Sequence, residues 1–350
     1  MSINIKQTGT NPNTGVTSYC CNTDMQFLLV GARGVGKTSL VASMLHQILN
    51  MGLGGYFYAL GDTADDLTDL LHRMTASLNT SLTNFDGIKG IDKSADIHCF
   101  NFELSGKSPK DAQKHFYFPV KIVDLPGGWY TGDSNTDKAQ KEEIKRLLLQ
   151  SQVSFICINT PALMEGSNEC FNSFNCPVKI SGWYHNNRFL DELKAHGHKV
   201  IFVLSRCEKY RNQREEMREK LQNCTAYKGL INAMLKVGLP VELTYVHTLG
   251  GVEFDRYEPL NEKLQREKYK ITGMYKPENC DAPLMRALNH ANNCIREKLK
   301  SKNDRFWQKV QNKFGASQLD RAQEALDNII TELSKEAELS DYKYWDLKQK

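Results

Sequence analysis

The sequence predicts an α/β fold in which a mainly parallel sheet is flanked by helices. Residues 25–31 have the apolar pattern of a buried strand, and a glycine-rich turn and an amphipathic helix over residues 38–50 follow directly. Further apolar runs alternate with segments of helical periodicity, which favours parallel strands wrapped by helices. The predicted strands are residues 56–60, 97–104, 120–123, 153–159, 200–204 and 241–246. The predicted helices are residues 65–78, 137–150, 188–195, 213–237 and 282–301.

One enlarged domain is expected over residues 25–300, with additions at both ends. Residues 1–24 are rich in Asn, Thr and Ser and lack apolar periodicity, so we expect a flexible tail there. Residues 166–183, with many Asn, Ser, Gly and Cys, and residues 254–277, charged and with three tyrosines, are predicted insertions that suit a lid or a partner-binding loop. Residues 301–350 are expected to form a helical extension whose apolar stripe packs on the domain or on a partner.

Composition excludes several classes of protein. The 45 basic and 41 acidic residues leave a net charge of +4 on 350 residues, which gives no strong nucleic-acid signal. No run approaches the roughly 18 apolar residues that span a bilayer, and no apolar leader precedes residue 24. The ten cysteines contain no CxxC pair, which argues against a disulfide scaffold or a zinc ribbon. We therefore expect a cytoplasmic protein with reduced cysteines and no transmembrane segment.

The strongest motif is GARGVGKT at residues 31–38, which fits GxxxxGK[ST] and lies between a predicted strand and a predicted helix. Glycines let successive backbone N–H groups curl around phosphates, and the start of the helix directs the positive end of its dipole at them. In this motif Lys37 is expected to contact the β- and γ-phosphates, and Thr38 is expected to bind Mg²⁺. The predicted nucleotide-binding residues here are Gly31, Arg33, Gly34, Val35, Gly36, Lys37, Thr38 and Ser39.

A second motif, DLPG at residues 124–127, ends the apolar strand that begins at Val120. It places a carboxylate at the carboxyl end of a strand, where open α/β sheets bind ligands. We expect Asp124 to hold Mg²⁺ through water and the Gly127 N–H to meet the γ-phosphate. On its own DxxG also suits an ordinary turn, and its position after GARGVGKT favours the nucleotide-binding interpretation.

GARGVGKT followed by DLPG at this separation resembles the P-loop GTPases of the Ras-like and translation-factor-related class over about residues 25–300. That family reads guanine with an [N/T]KxD tetrapeptide after a later strand, and Ser205-Arg206-Cys-Glu208 stands in the matching place. The resemblance implies that Glu208 pairs with N1–H and the 2-amino group of guanine, an edge that adenine lacks. It implies that the aliphatic stem of Arg206 covers the base plane.

The segment VHTLG at residues 246–250 follows another predicted strand and is similar to the last base-contacting loop of the same family. A backbone N–H of this loop would meet O6 of guanine. His247 and Thr248 are therefore predicted to be nucleotide-binding residues.

The resemblance also implies a molecular switch that hydrolyses GTP to GDP and phosphate. Gly128 follows DLPG where many family members carry a Gln that orients the attacking water, so we expect a low intrinsic rate and sensitivity to a partner. Arg33 occupies a position usually held by a small residue and can stabilise developing charge in cis. Lys37 and Arg33 are the predicted catalytic residues.

The implied cofactor is Mg²⁺, bound with GTP or GDP. Its predicted protein ligands are Thr38, Asp124 and, from the first switch, Ser94, which lies just before the strand predicted at residues 97–104. Thr80 and Thr83 are rival candidates for the first-switch ligand.

A looser likeness narrows the family and leaves alternatives open. DLPG and NTPALME at residues 159–165 look similar to bacterial stand-alone double-GTPase-like proteins of conflict and defence systems, which implies regulation of an effector protein. The alternatives are a P-loop ATPase or kinase, a nucleotide-dependent scaffold that does not hydrolyse, and a structural protein with a vestigial P-loop. Selectivity for GTP over ATP, phosphate release and the effect of Lys37→Ala distinguish them.

Overall fold

Strands and helices alternate along most of the chain. The computed structural model describes residues 4–23, 25–78, 84–85, 96–131, 138–184, 186–259, 265–300, 316–338 and 345–346. The strands are β1 Asn4–Thr10, β2 Thr17–Asn22, β3 Met25–Val30, β4 Phe57–Ala59, β5 Asn84–Phe85, β6 His98–Ser108, β7 Asp111–Asp124, β8 Val153–Asn159, β9 Lys199–Ser205, β10 Val241–Tyr245, β11 Val252–Pro259, β12 Gln265–Ile271 and β13 Trp345–Asp346. The helices are α1 Lys37–Asn50, α2 Asp62–Leu78, α3 Gly128–Thr131, α4 Lys138–Gln150, α5 Thr160–Met164, α6 Asn168–Asn175, α7 Pro177–Trp183, α8 Asn187–Ala195, α9 Arg214–Asn223, α10 Thr225–Val237, α11 Asp281–Lys300 and α12 Ala316–Glu338.

Within the described ranges, ten strands form one mixed sheet with a parallel centre. β3 lies between β7 and β8 and is parallel to both, and β9 and β10 continue the parallel order beyond β8. β6 is antiparallel to β7, and β4 is antiparallel to β6. The predicted α/β class with a mainly parallel sheet is confirmed. This order brings the carboxyl ends of β3, β7, β8, β9 and β10 to one edge of the sheet.

Helices cover both faces of the sheet, which explains why its central strands are mostly apolar. Every residue of β8 and β9 is buried. One core lies between the sheet and α1, α2, α11 and α12, and the other lies between the sheet and α4, α8, α9 and α10. Strands buried on both faces show continuous apolar runs rather than alternation, as β8 and β9 do.

Residues 4–22 form two strands and not the flexible tail that their polar composition predicts. β2 runs parallel to the first half of β7, and β1 pairs antiparallel with β2. Ile5, Tyr19 and Cys21 are buried, and the Tyr19 ring stacks on Phe116 at 5.3 Å between centroids. A few alternating apolar side chains suffice because β7 supplies backbone hydrogen bonds to β2, and β2 supplies them to β1.

The two predicted insertions both carry regular structure. Residues 166–183 contain α6 and α7. Within residues 254–277 lies most of the β11–β12 hairpin, which pairs with β5 in a second sheet, of three strands among the residues described. The single helix predicted over residues 213–237 is divided into α9 and α10 at Cys224, whose backbone is extended.

Of the C-terminal extension, the structure describes α12 and the short strand β13, and α12 packs across β6 and α11. Its apolar stripe is buried in the same core as α1, so it packs on the domain itself. Gly106 of β6 permits the close approach, because a Cβ there would lie 2.5 Å from Cγ1 of Ile329. None of the helices in the described ranges is long and apolar enough to cross a membrane.

Candidate functional site

Residues 31–38, the phosphate loop, connect β3 to α1 with a backbone that requires glycine. Gly34 and Gly36 have φ values of 82° and 93°, in the left-handed region where side chains are disfavoured. A Cβ on Gly31 would lie 2.9 Å from the carbonyl oxygen of Cys157, on β8. The glycines of GARGVGKT are therefore explained by loop shape and by close approach to β8.

Lys37 is the first residue of α1, and its side chain is almost fully buried. Its Nζ donates to the carbonyl oxygen of Gly31 at 2.9 Å and lies 3.7 Å from Oδ1 of Asp124. The ammonium group thus lies inside the phosphate loop, next to the carboxylate that ends β7. This places a positive charge at the start of a helix, where the helix dipole already favours an anion.

Asp124 and Thr38 are neighbours, as a shared Mg²⁺ site requires. Thr38 Oγ1 donates to Asp124 Oδ2 at 3.1 Å. Burial raises the pKa of Asp124, and Lys37 and the Thr38 hydroxyl offset only part of that rise. Among the described residues nothing donates a hydrogen bond to Asp124 Oδ1, which is buried. A buried carboxylate oxygen without a donor, next to a threonine hydroxyl, fits a hard cation with oxygen ligands.

The described residues contain no group of three His, Cys, Asp or Glu side chains placed to hold a metal ion. At phosphate sites Mg²⁺ is commonly bound through one or two carboxylates, water and the phosphates themselves. Thr38 and Asp124 are therefore a suitable partial ligand set. Ser94, Thr80 and Thr83, the candidates for a further ligand, lie outside the described residues.

The turn at residues 124–127 rests directly on the phosphate loop. A Cβ on Gly127 would lie 2.4 Å from Cα and 2.5 Å from the backbone N of Arg33. The side chain of Arg33 is exposed to solvent. Gly128, the next residue, begins α3, and a Cβ there would meet nothing within 4 Å. Glycine is thus required at position 127 and not at position 128.

The tetrapeptide at residues 205–208 is fastened to the phosphate loop from the other side. Ser205 Oγ lies 2.6 Å from the carbonyl oxygen of Val35 and 2.9 Å from that of Ile158. Arg206 has a left-handed backbone, with φ of 59°, and its guanidinium donates to the carbonyl oxygen of Gly34. These contacts join the end of β9 to the backbone of the phosphate loop.

Glu208 joins the tetrapeptide to residues 247–250, the closing loop that follows β10. Its Oε1 accepts from the backbone N of Leu249 at 3.1 Å and from that of Gly250 at 3.3 Å. Burial raises the pKa of Glu208, and the backbone N–H groups and Arg206 offset part of that rise. The acceptor and the donors predicted to read a base are therefore adjacent and satisfy one another.

His247 and Thr248, both in the closing loop, make contacts with different parts of the fold. His247 is buried, with Nδ1 3.2 Å from Glu278 Oε2, and burial lowers its pKa to about 4. The carbonyl oxygen of Thr248 accepts from Ser43 Oγ of α1 at 2.7 Å. Their contacts support the closing loop, and the amides that face Glu208 belong to Leu249 and Gly250. Ser39 is half-buried in the first turn of α1.

Three residues that the sequence did not predict as site residues complete the cluster: Asn159, Glu267 and Tyr269. Arg206 forms an ion pair with Glu267 of β12, and its Nη1 lies 2.6 Å from the hydroxyl oxygen of Tyr269. Asn159, the last residue of β8, donates from Nδ2 to Glu267 Oε1 at 2.8 Å. The charge and tyrosine content of residues 254–277 predicted an insertion, but only the register of the β11–β12 hairpin shows which of its side chains face the site.

Two open grooves lie elsewhere. A groove of about 1130 Å³ is bordered by Leu163, Phe171 and Cys224, and one of about 920 Å³ by Gln26 and Lys121. Neither of these two grooves is lined by a residue of the phosphate loop.

No protein-family model matches the sequence, and no curated protein is significantly similar to it.

Proposed function

We propose that this protein is a Mg²⁺-dependent GTP-binding switch that slowly hydrolyses GTP to GDP and phosphate and regulates a partner protein. The observation that carries the proposal is the convergence of four separate segments: residues 31–38, 124–127, 205–208 and 247–250. Each begins at the carboxyl end of a strand or just after it, at the same edge of the sheet. After β3 the chain first builds the β7 side of the sheet and then crosses to β8, so the phosphate loop lies at a topological switch point, the usual ligand position in open α/β sheets.

The phosphate end of the site suits a nucleoside triphosphate. The backbone of residues 31–38, the start of α1 and the Lys37 ammonium all favour an anion there. Mg²⁺ held by Thr38 and Asp124 would neutralise phosphate charge. Lys37 would exchange its contact with the Gly31 carbonyl oxygen for phosphate oxygens.

The base end suits guanine better than adenine. Guanine presents an acceptor, O6, beside a donor, N1–H, whereas adenine presents the opposite order. The Leu249 and Gly250 amides lie beside the Glu208 carboxylate, which is the complementary pair. These groups bond to each other here and would exchange partners with the base, so the free protein leaves neither of them unsatisfied.

The hydrolytic step is expected to be slow. Position 128 is glycine, so no side chain there orients an attacking water. The exposed Arg33 follows the first two residues of the phosphate loop and its backbone contacts Gly127, which makes it a candidate cation for stabilising charge in cis. A partner that supplies a water-orienting group would raise the rate.

Titration with fluorescent GTP and ATP in the presence of Mg²⁺ tests the nucleotide and its base. We expect Lys37→Ala to abolish binding of both. Glu208→Ala should weaken GTP binding by about 10- to 100-fold, the range for one lost bidentate base contact, without changing ATP binding. Lys335→Ala, which removes an exposed lysine of α12, is the matched control and should bind like the wild type.

Each alternative predicts a different result. Equal affinity for GTP and ATP, unaffected by Glu208→Ala, would favour a P-loop ATPase. Selective GTP binding without phosphate release over hours would favour the scaffold. Unchanged affinity in Lys37→Ala would contradict a nucleotide-binding role for the phosphate loop.

A further inference from the structure

The β11–β12 hairpin lies beside the base-reading segments and contributes a buried carboxylate there. Glu267 of β12 is 9% exposed and forms an ion pair with Arg206. Its Oε1 accepts from Asn159 Nδ2 at 2.8 Å, and its Oε2 accepts from the Tyr269 hydroxyl at 2.9 Å. Both oxygens are therefore used, which is the arrangement that makes a buried carboxylate tolerable.

Arg206 links this carboxylate to the phosphate loop. Its guanidinium donates to Glu267 and Tyr269 on the hairpin and to the carbonyl oxygen of Gly34. Its Cζ also lies 5.4 Å from the centroid of the Tyr269 ring. One side chain thus bridges the hairpin and the phosphate loop. Two of these three hydrogen-bond partners, Glu267 and Tyr269, belong to the hairpin, so the position of the guanidinium depends on the hairpin as well as on the phosphate loop.

We infer that Glu267 is a positioning residue that holds Arg206 across the base side of the nucleotide site, and that the β11–β12 hairpin thereby slows nucleotide release. This inference rests on the proposed function. A guanidinium fixed at both ends keeps its aliphatic stem in one place and does not lose conformational freedom when a base arrives. Without the Glu267 carboxylate the guanidinium keeps only its contacts with Tyr269 and the Gly34 carbonyl oxygen, so the stem is held less firmly over the bound base.

The effect on release can be separated from an effect on folding. The ion pair between Glu253 and Lys270, at 3.3 Å, lies on the same hairpin and is partly exposed. Glu253→Gln therefore perturbs the hairpin without touching Arg206. Tyr269→Phe removes one hydroxyl that contacts both Arg206 and Glu267 and keeps the ring, so it provides a milder change where Glu267→Gln impairs folding.

The experiment measures the dissociation rate of fluorescent mant-GDP, chased with excess GDP in Mg²⁺. We expect Glu267→Gln to accelerate release about tenfold, on the scale of one lost charge-assisted hydrogen bond, and Tyr269→Phe to accelerate it less. Glu253→Gln should release mant-GDP at the wild-type rate. In an Arg206→Ala background, Glu267→Gln should change the rate by less than twofold, because its action passes through Arg206.

The outcomes separate this inference from the proposed function. Wild-type release from Glu267→Gln and Tyr269→Phe, or additive effects of Glu267→Gln and Arg206→Ala, would overturn the inference alone if Lys37→Ala still abolishes binding. Failure of the wild-type protein to bind mant-GDP would overturn both. An equal acceleration in Glu253→Gln would assign the effect to hairpin stability and would also overturn the positioning role.

Discussion

At the scale of single residues, Gly127 and Gly128 offer a direct test of how the turn at residues 124–127 meets the phosphate loop. Gly127→Ala would place a Cβ 2.4 Å from Arg33 Cα. Because the obstructing atom belongs to the backbone, the clash can be relieved only if the turn or the phosphate loop moves. We expect the free energy of unfolding to fall by about 1–3 kcal/mol, the usual cost of overpacking. Urea unfolding measures the change.

Gly128→Ala is the control for that prediction, since its Cβ would meet nothing within 4 Å and it begins the short helix α3. Its effect should stay within about 1 kcal/mol in either direction. Equal losses from the two substitutions would contradict the close contact between Gly127 and Arg33. We also expect Gly127→Ala to weaken GTP more than GDP, because the Gly127 N–H is expected to meet the γ-phosphate.

The sequence predicted candidate site residues that lie within a short motif next to a strand. Asp124 ends β7, and Lys37 and Thr38 begin α1 directly after the glycine-rich loop that follows β3, so the motifs and the strand pattern together predict their positions. Glu267 could not be found this way, because it reaches Arg206 from 61 positions along the chain through the register of a hairpin. No spacing rule relates two such residues.

At the scale of elements, α12 belongs to the core of the domain, although its sequence equally suited a partner-binding helix. Ile329 is fully buried and reaches the β6 backbone at Gly106. Ile329→Ala should therefore lower the free energy of unfolding by about 2–5 kcal/mol, the range for truncating a large aliphatic core residue. Chemical denaturation measures this loss.

Lys335→Ala on the exposed side of α12 should change the free energy of unfolding by no more than about 0.5 kcal/mol. A small effect of Ile329→Ala, similar to that of Lys335→Ala, would mean that α12 is not part of the folded core in solution.

Elements with continuous apolar runs were predicted well, and elements completed by a distant partner were not. The strand predicted at residues 153–159 coincides with β8, because its apolar run is bounded by polar residues. β1 and β2 were missed because their side chains are mostly polar and their pairing comes from elsewhere: β7 pairs with β2, and β2 pairs with β1. The apolar stripe of α12 was predicted, but helical periodicity shows only that one face of the helix is buried. It does not show whether the domain or a partner protein covers that face.

At the scale of the whole molecule, α11 ties the helix of the phosphate loop to the rest of the fold. It contacts α1, α12, β8 and β9. The backbone N of Asp281, at its start, donates to Gln47 Oε1 of α1 at 3.2 Å. A disturbance at the start of α11 therefore reaches the site and the global stability together. Asp281 is 1% exposed, so ionisation of its carboxyl group with rising pH should destabilise the packing of α11 against α1.

The pH dependence of stability follows from that burial. Burial raises the pKa of Asp281 to about 6, and the backbone N–H groups of Asp281 and Ala282 offset only part of the rise. The folded protein therefore holds this proton more tightly than the unfolded chain, whose aspartates titrate near pH 3.9. The contribution of Asp281 to stability is complete below about pH 4 and is lost as pH rises through about 6.

Asp281→Asn cannot ionise and keeps a side chain that suits the start of a helix. Relative to the wild type, its free energy of unfolding should rise by about 2 kcal/mol between pH 4 and pH 7, measured by urea unfolding across that range. A flat difference between Asp281→Asn and the wild type over this range would mean that the Asp281 carboxylate is solvated in the folded protein.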